Sequence, residues 1–211
     1  MNLLPQDVAA YMRRLHDRFD DPVLLEMEAM AEERNFPIVG RMVGVALEML
    51  ARSVSATRVF ELGSGFGFSA WWFARAVGPT GEVTLTDGDA ANTQMSQELL
   101  RRAGLTERCR FVTGDAVSAL NETDGEFDIV YCDIDKEGYP AAFEAAAERI
   151  RMGGLYLCDN VLWSGKVADP ANTEPSTEAI RAHNEAVFAD SRFRATIIPI
   201  RDGVISALRI A

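Results

Sequence analysis

The stretch RVFELGSGFGFSAWWFARAVG, residues 58–78, predicts a strand, a glycine-rich turn and a helix in direct succession. The apolar run RVFELG has the composition of a short buried strand. The segment from Phe68 has helical character and closes at Gly78, a helix-stop signal. Glycines between two such elements allow the backbone to approach a ligand closely. We therefore predict that a small molecule binds at residues 61–67.

Strand-like and helical segments continue to alternate after this unit. The further strand-like runs are EVTLTD (82–87), CRFVTGD (109–115), FDIVYCD (127–133) and LYLCDN (155–160). The helices between them are predicted at 90–104, from 116 through Leu120, and at 139–154. Nearly continuous apolar strands that alternate with helices are typical of a parallel sheet covered on both faces.

The C-terminal part predicts a different ending for the sheet. After a helix at about 176–189, RATIIPI and VISALRI are joined by Arg201-Asp202-Gly203, which predicts an antiparallel hairpin. The predicted fold class is therefore α/β: a doubly wound, Rossmann-like, seven-stranded sheet that is mostly parallel, with helices on both faces.

Additional helices are predicted before this core. Their ranges are 3–19, where Leu4, Val8, Tyr11, Met12, Leu15 and Phe19 have helical spacing, 22–34 and 38–52, the last two starting at Pro22 and Pro37. We expect one domain over residues 1–211. Within it, residues 58–211 form the catalytic core, and residues 1–52 contribute to the substrate site or to a dimer.

Composition excludes several classes of partner. The 211 residues carry a net charge of −11, so no overall basic field attracts nucleic acid or anionic membrane. No apolar run approaches the ~20 residues that span a bilayer, and the N-terminus does not read as a signal peptide. Cys109, Cys132 and Cys158 lack metal-site spacing and are interpreted as reduced thiols. These features favour a cytoplasmic protein.

The glycine turn and the next strand end together suggest the ligand. The turn has G-x-G-x-G spacing, with Phe68 where a dinucleotide fingerprint has its last glycine, and no lysine follows as in a P-loop. Asp87 ends the second strand, where an acid can accept hydrogen bonds from ribose hydroxyls. A nucleoside without a pyrophosphate fits this pattern, and S-adenosylmethionine is such a ligand.

Polar side chains end the fourth and fifth strands. Asp133 follows one strand, and Asp159 and Asn160 follow the other. If the strands are neighbours, three oxygen donors converge, which suits Mg²⁺ or another hard cation such as Ca²⁺ or Mn²⁺ better than zinc. The alternative is that these residues only cap loops or helices.

Lys136 beside them is a candidate general base, or else half of a surface ion pair. His16 and His183 are interpreted as ordinary surface or packing residues.

Four motifs occur in order from about residue 38 to the end: ELGSGFGFSA, DIDKEGY, DNVLWSGKVADP and IRDGV. Together they resemble the cation-dependent catechol and caffeoyl-CoA O-methyltransferases of the class I S-adenosylmethionine fold. The resemblance implies transfer of a methyl group to a hydroxyl of a catechol-like or hydroxycinnamoyl small molecule. It also implies a homodimer, since relatives are commonly dimers.

The resemblance assigns roles position by position. The positions matched to cofactor binding are Val39, Glu61, Gly63, Ser64, Ser69, Asp87, Ala116, Asp133 and Asp135. Within that set, Ser69 corresponds to the residue that meets the methionine carboxylate, Asp135 lies near the amino group, and Ala116 lines the adenine pocket. The matched metal ligands are Asp133, Asp159 and Asn160.

The resemblance also assigns catalytic and substrate residues. Lys136 corresponds to the base, with Asp133 beside it, and Lys136, Trp163 and Ser164 line the acceptor site. This chain departs from the usual pattern in Ser64, Phe66 and Ile134. Ser164 stands where plant members carry asparagine, which argues against phenylpropanoid-CoA specificity.

Three alternatives remain at the level of sequence. The same site could methylate a hydroxylated uridine in tRNA, although the net charge disfavours RNA. A nicotinamide-dependent oxidoreductase is disfavoured by the missing last glycine and by the metal-like residues. A non-catalytic binding module is disfavoured because a binder has no need of a base beside a metal.

Overall fold

A seven-stranded sheet forms the centre of the computed structural model, which describes residues 5–16 and 21–211. The strands are β1 (Arg58–Leu62), β2 (Glu82–Asp87), β3 (Cys109–Thr113), β4 (Phe127–Cys132), β5 (Ile150–Cys158), β6 (Phe193–Ile198) and β7 (Val204–Arg209). Their order is β3-β2-β1-β4-β5-β7-β6. The first five strands are parallel, and β7 pairs antiparallel with both β5 and β6. The predicted fold class is confirmed.

Helices cover both faces of the sheet in the described part of the chain. They are α1 (Gln6–His16), α2 (Pro22–Arg34), α3 (Gly40–Ser53), α4 (Phe68–Ala76), α5 (Ala90–Arg102), α6 (Ala116–Glu122), α7 (Tyr139–Ala147) and α8 (Pro175–Ala189). Alternate residues of β1 enter two separate cores: Val59 packs with α2–α5, and Phe60 packs with α6–α8. This division follows from the two-residue period of a strand. None of the described helices is long and apolar enough to cross a membrane.

The predicted end of the helix before β5 is wrong. The helix predicted over 139–154 ends at Ala147, and β5 begins at Ile150. Ile150 pairs with Phe127, and the register then shifts around Gly153, whose φ is +75°. The glycines therefore form an irregularity inside the strand and do not end a helix.

The N-terminal helices follow the prediction only in part. Asp21 accepts hydrogen bonds from Val23 N (2.9 Å) and Leu24 N (3.1 Å), and α2 begins at Pro22 as predicted. In contrast, α3 begins at Gly40 and not at residue 38, and residues 36–39 lie outside any helix. Within the helix predicted over 3–19, α1 spans Gln6–His16. Its apolar Val8, Tyr11 and Leu15 are exposed, and Leu4 and Phe19 lie outside the described residues.

The predicted thiols and histidines are packing elements. Cys132 and Cys158 are buried free thiols on paired positions of β4 and β5. His183 is fully buried, and its Nε2 lies 2.9 Å from the Tyr156 hydroxyl. Burial lowers the pKa of His183 to about 4, so the ring is neutral in the core. The Nδ1 of His16 lies 2.8 Å from the carbonyl oxygen of Met12, within the last turn of α1.

Asp128 at the start of β4 fixes the entry into β1. Its Oδ2 accepts hydrogen bonds from the backbone amides of Thr57 and Arg58, both at 2.7 Å, and Oδ1 accepts from Arg151 at 2.5 Å. Although burial opposes it, these donors lower the pKa of Asp128. Because the pKa of Asp128 is lower in the folded than in the unfolded state, its ionised form stabilises the fold at pH values above the pKa of the unfolded state. This contribution is lost as the pH falls through the pKa of the folded state.

We expect Asp128→Ala to lower the free energy of unfolding by about 2–4 kcal/mol at pH 7, because two amides lose their partner. Urea denaturation measures this change. Asp124→Ala, which removes an exposed acid nearby, serves as the control and should change stability by less than about 0.5 kcal/mol. The difference between wild type and Asp128→Ala should shrink below the pKa of a free aspartate. A difference that stays constant down to pH 2 would contradict this assignment.

Candidate active site

A cleft of about 770 Å³ lies at the carboxyl ends of the parallel strands. It is lined by residues 63–66 after β1, 87–89 after β2, 133–137 after β4, Asp159, Asn160 and Trp163 after β5, and 36–39 before α3. The sheet order places β1 between β2 and β4, so the strand order reverses at β1: β2 and β3 lie on one side of it, and β4 and β5 lie on the other. Ligands of open α/β sheets bind at such a switch point.

The glycine turn contacts the end of β4 closely. Gly63 has a φ of +83°, and a Cβ there would lie 2.4 Å from the carbonyl oxygen of Asp133. The Asp133 amide donates to the carbonyl oxygen of Leu62 at 2.9 Å. Only glycine permits this approach, so the turn and the first acid of the predicted metal site are held in a fixed relation.

Asp87 is oriented by three donors. Its carboxylate accepts hydrogen bonds from Gly65 N (2.9 Å), Asp89 N (2.9 Å) and Asn92 Nδ2 (3.1 Å). Asp87 lines the cleft directly beside the glycine turn. A carboxylate has about four acceptor sites, so the predicted ribose contact fits this arrangement.

Glu61 lies beneath the cleft and not on its wall. It is fully buried, and the Ser69 hydroxyl donates to its Oε1. No described group hydrogen-bonds Oε2. Burial raises the pKa of Glu61 to about 8, against the opposing effect of the Ser69 hydrogen bond. Of the two, Ser69 lines the cleft, and Glu61 orients it from below.

The residues of the predicted metal and base positions form one hydrogen-bonded group. The Nζ of Lys136 lies 3.2 Å from Asp133 Oδ1 and 2.9 Å from Asn160 Oδ1. Asn160 in turn donates from Nδ2 to Asp159 Oδ2 at 3.3 Å. The strand pairing explains the convergence, because Cys132 and Cys158, directly before the two acids, are partners in the β4–β5 ladder.

Negative charge exceeds positive charge in this group. Asp159 is 3% exposed, and its Oδ1 has no hydrogen-bond partner among the described residues. Burial, followed by repulsion from Asp133, raises the pKa of Asp159 to about 7. Burial also raises the pKa of Asp133, although Lys136 opposes this rise. An unpaired, buried carboxylate oxygen beside a second carboxylate and an amide oxygen is a donor set that a hard divalent cation fits.

The described His, Cys, Asp and Glu side chains form no group of three that could hold a metal. The third predicted ligand, Asn160, is an amide, so the predicted ligand set contains only two side chains of these types. Asp135 and Trp163 also line the cleft, as does Val39, which is 4% exposed. Ala116 and Ser164 do not line it: Ala116 begins α6, and Ser164 is exposed, with its amide donating to Asp202.

Three residues of the site were not singled out by sequence reasoning. The Tyr139 hydroxyl accepts from Lys136 Nζ (2.7 Å) and donates to the carbonyl oxygen of Asp159 (2.8 Å). The Phe36 ring packs on Phe66 with 4.9 Å between centroids. Arg201 reaches the cleft from the β6–β7 turn. Tyr139 stood three residues after Lys136 in the motif DIDKEGY, and this helical spacing is the signal that could have found it.

Residues 16–210 match the sequence profile of a family described as O-methyltransferase. This chain belongs to that family. It is 33% identical over 202 residues to a catechol O-methyltransferase of Niastella koreensis, with 93% of this chain and 91% of the relative covered. It is 34% identical over 169 residues to a probable caffeoyl-CoA O-methyltransferase 1 of Dictyostelium discoideum, with 77% and 74% covered. An O-methyltransferase from Bacillus cereus, solved in complex with SAH, has a TM-score of 0.87 at 29% identity, with 95% and 97% covered.

An O-methyltransferase needs two things from this cleft. The methyl donor must be held with its methyl group facing the acceptor, and the acceptor hydroxyl must lose its proton. The glycine turn and Asp87 follow β1 and β2, and the group around Lys136 follows β4 and β5. The cleft therefore offers two separate sets of residues on neighbouring strand ends.

Proposed function

We propose that this protein transfers a methyl group from S-adenosylmethionine to a hydroxyl of a catechol-like or hydroxycinnamoyl small molecule, in a reaction that depends on a divalent cation. The observation that carries the proposal is the group of Asp133, Lys136, Asp159 and Asn160. In this group an amine, two carboxylates and an amide are connected by hydrogen bonds, and the group lines the same cleft as the glycine turn.

The donor is proposed to occupy the half of the cleft next to β1 and β2. Asp87 accepts hydrogen bonds from the ribose hydroxyls, and Ser69, oriented by Glu61, meets the methionine carboxylate. Asp135, which also lines the cleft, lies near the amino group, and Gly63 and Ser64 contact the donor with their backbone. The SAH complex of the Bacillus cereus relative supports this ligand class.

The cation is proposed to lie among Asp133, Asp159 and Asn160. A bound dication supplies a localised positive charge that attracts adjacent phenolic oxygens and lowers the pKa of the hydroxyl. The unpaired Oδ1 of Asp159 and the excess of carboxylates over lysine support a cation at this point. The oxygen-only donor set favours Mg²⁺, Ca²⁺ or Mn²⁺ over zinc.

Lys136 is proposed to act as the base. Its Nζ, as the free amine, takes the proton of the acceptor hydroxyl. The oxygen then attacks the methyl carbon, an O–C bond forms, and the S–C bond breaks with its electron pair going to sulfur. An anion and a sulfonium give two neutral products, so a water-poor cleft favours the step. Trp163 and Val39 restrict water there, and much of the rate comes from holding the two reacting atoms in contact.

The N-terminal part is proposed to complete the acceptor site. Residues 36–39 also line the cleft, which supports the predicted contribution of residues 1–52 to substrate binding. The homodimer, the cytoplasmic location and the single domain over 1–211 stay predictions.

A methyl-transfer screen tests the proposal. With S-adenosylmethionine and Mg²⁺, we expect transfer to catechol or caffeate, a loss of at least about 100-fold after EDTA, and recovery when Mg²⁺ is added in excess. EDTA saturated with Mg²⁺ controls for chelator effects, and guaiacol, which lacks the second hydroxyl, tests the need for a diol. Transfer that persists fully in EDTA would contradict cation dependence. Transfer to bulk tRNA alone, at stated salt, would favour the nucleic-acid alternative.

A further inference from the structure

Arg201 is one of the two cationic side chains among the described residues that line the cleft. Lys136, the other cation of the lining, contacts Asp133 and an amide oxygen. Arg201 forms no ion pair with a described acid; its Nη1 donates to the neutral carbonyl oxygen of Ile38. A guanidinium has five N–H donors in a planar fork, so most of them remain available.

The backbone holds this arginine in a fixed place. Arg201 sits at the tip of the β6–β7 turn with a φ of +48°, and Gly203 N donates to the Ile200 carbonyl at 2.9 Å. The same turn accepts hydrogen bonds from the loop after β5: Val161 N donates to Gly203 O at 3.1 Å, and Leu162 N donates to Asp202 O at 2.9 Å. The arginine and the loop that carries Asn160 and Trp163 are therefore positioned together.

The neighbourhood leaves room for the guanidinium, which lines the cleft that also contains the acid group. A Cβ on Gly40 would lie 2.8 Å from Nη1, so glycine at that position makes space for the side chain. Arg201 therefore lines the same cleft as Asp133 and Asp159 without a hydrogen bond to either acid.

We propose that Arg201 determines acceptor specificity by pairing with a carboxylate of the acceptor, so that the preferred substrates are catechols bearing a free carboxylate; this inference rests on the proposed function. The planar guanidinium matches a carboxylate in a bidentate pair. A catechol acid offers a diol at one end of a rigid ring and the anion at the other. A neutral catechol, or a thioester of the same acid, lacks a charge at that position.

The test compares 3,4-dihydroxybenzoate with its uncharged analogue 3,4-dihydroxybenzamide. We expect wild type to favour the acid in kcat/KM by about 10-fold or more, the range of a charge-assisted hydrogen bond. Arg201→Gln should lower kcat/KM for the acid by about 10- to 100-fold and for the amide by less than about threefold. Arg201→Lys should restore part of the preference. Arg194→Gln, an exposed arginine of the edge strand β6, is the matched control.

Calorimetric binding of the same two compounds gives a readout that does not need turnover. A larger loss of affinity for the acid than for the amide in Arg201→Gln supports the inference, even if methyl transfer to diols fails and the proposed function is wrong. Equal effects on both compounds, with transfer to catechol intact, overturn the role of Arg201 and leave the function standing. An equally large loss of affinity for S-adenosylhomocysteine overturns it as well, since the arginine would then serve the methyl donor.

Discussion

Asp159→Ala is expected to lower turnover by about a thousandfold or more while the affinity for S-adenosylhomocysteine stays within about threefold. Asp159 provides a fully buried carboxylate oxygen that has no hydrogen-bond partner among the described residues. Removing it deletes a proposed cation ligand and leaves the glycine turn and Asp87 in place. Initial rates at saturating Mg²⁺ and calorimetry with S-adenosylhomocysteine measure the two effects separately.

Stability provides the control for this substitution. Burial raises the pKa of Asp159 to about 7, so its ionisation opposes folding: the stability present at low pH is lost as the pH rises from the unfolded value through about 7. Without a cation, the urea midpoint of Asp159→Asn at pH 8 should therefore equal or exceed that of wild type. Any difference between the two midpoints should be smaller at pH 5. Asp124→Ala removes an exposed acid before β4 and should leave turnover unchanged.

Two results would count against this account. Parallel losses of turnover and S-adenosylhomocysteine affinity would place Asp159 in the donor site. Normal activity in Asp159→Ala, still sensitive to EDTA, would place the cation on other residues.

The acid group could be predicted because its determinants are local in the sequence. Apolar runs that end in Asp133 and in Asp159 identify strand ends, and parallel strands bring their carboxyl ends to one edge. What remained open was whether the two strands are neighbours. The β-ladder between β4 and β5, in which Cys132 lies opposite Cys158, shows that they are. The glycine turn was predictable for the same reason, since its conformation is set by a few consecutive residues.

Features that depend on distant contacts were not predictable in this way. Arg201 and Ile38 are 163 positions apart, and Ile38 lies in the segment before α3 where a helix was predicted from Pro37. The start of β5 depends on Ile150 pairing with Phe127, whereas the glycines after it have the local appearance of a helix end. In both places tertiary contacts override the local signal.

Lys136→Met is expected to lower kcat by about 10²- to 10⁴-fold, the range for loss of a general base. Methionine keeps the length and much of the volume of the side chain but cannot accept a proton. Binding of the acceptor should change far less, by about threefold or less, because the proposed cation ligands and Arg201 remain. Single-turnover methyl transfer and equilibrium binding of a catechol measure the two quantities.

The chain offers a matched control for this lysine. Its only other lysine, Lys166, pairs with Glu174 at 2.6 Å at the end of the segment that begins with Trp163, and it does not line the cleft. Lys166→Met should leave kcat within about twofold. Lys136→Arg separates charge from proton transfer, because arginine keeps the positive charge and does not deprotonate in proteins. Near-normal turnover in Lys136→Arg would show that the amine acts by its charge towards Asp133 and Asn160, whereas turnover as low as in Lys136→Met would support proton acceptance at Nζ.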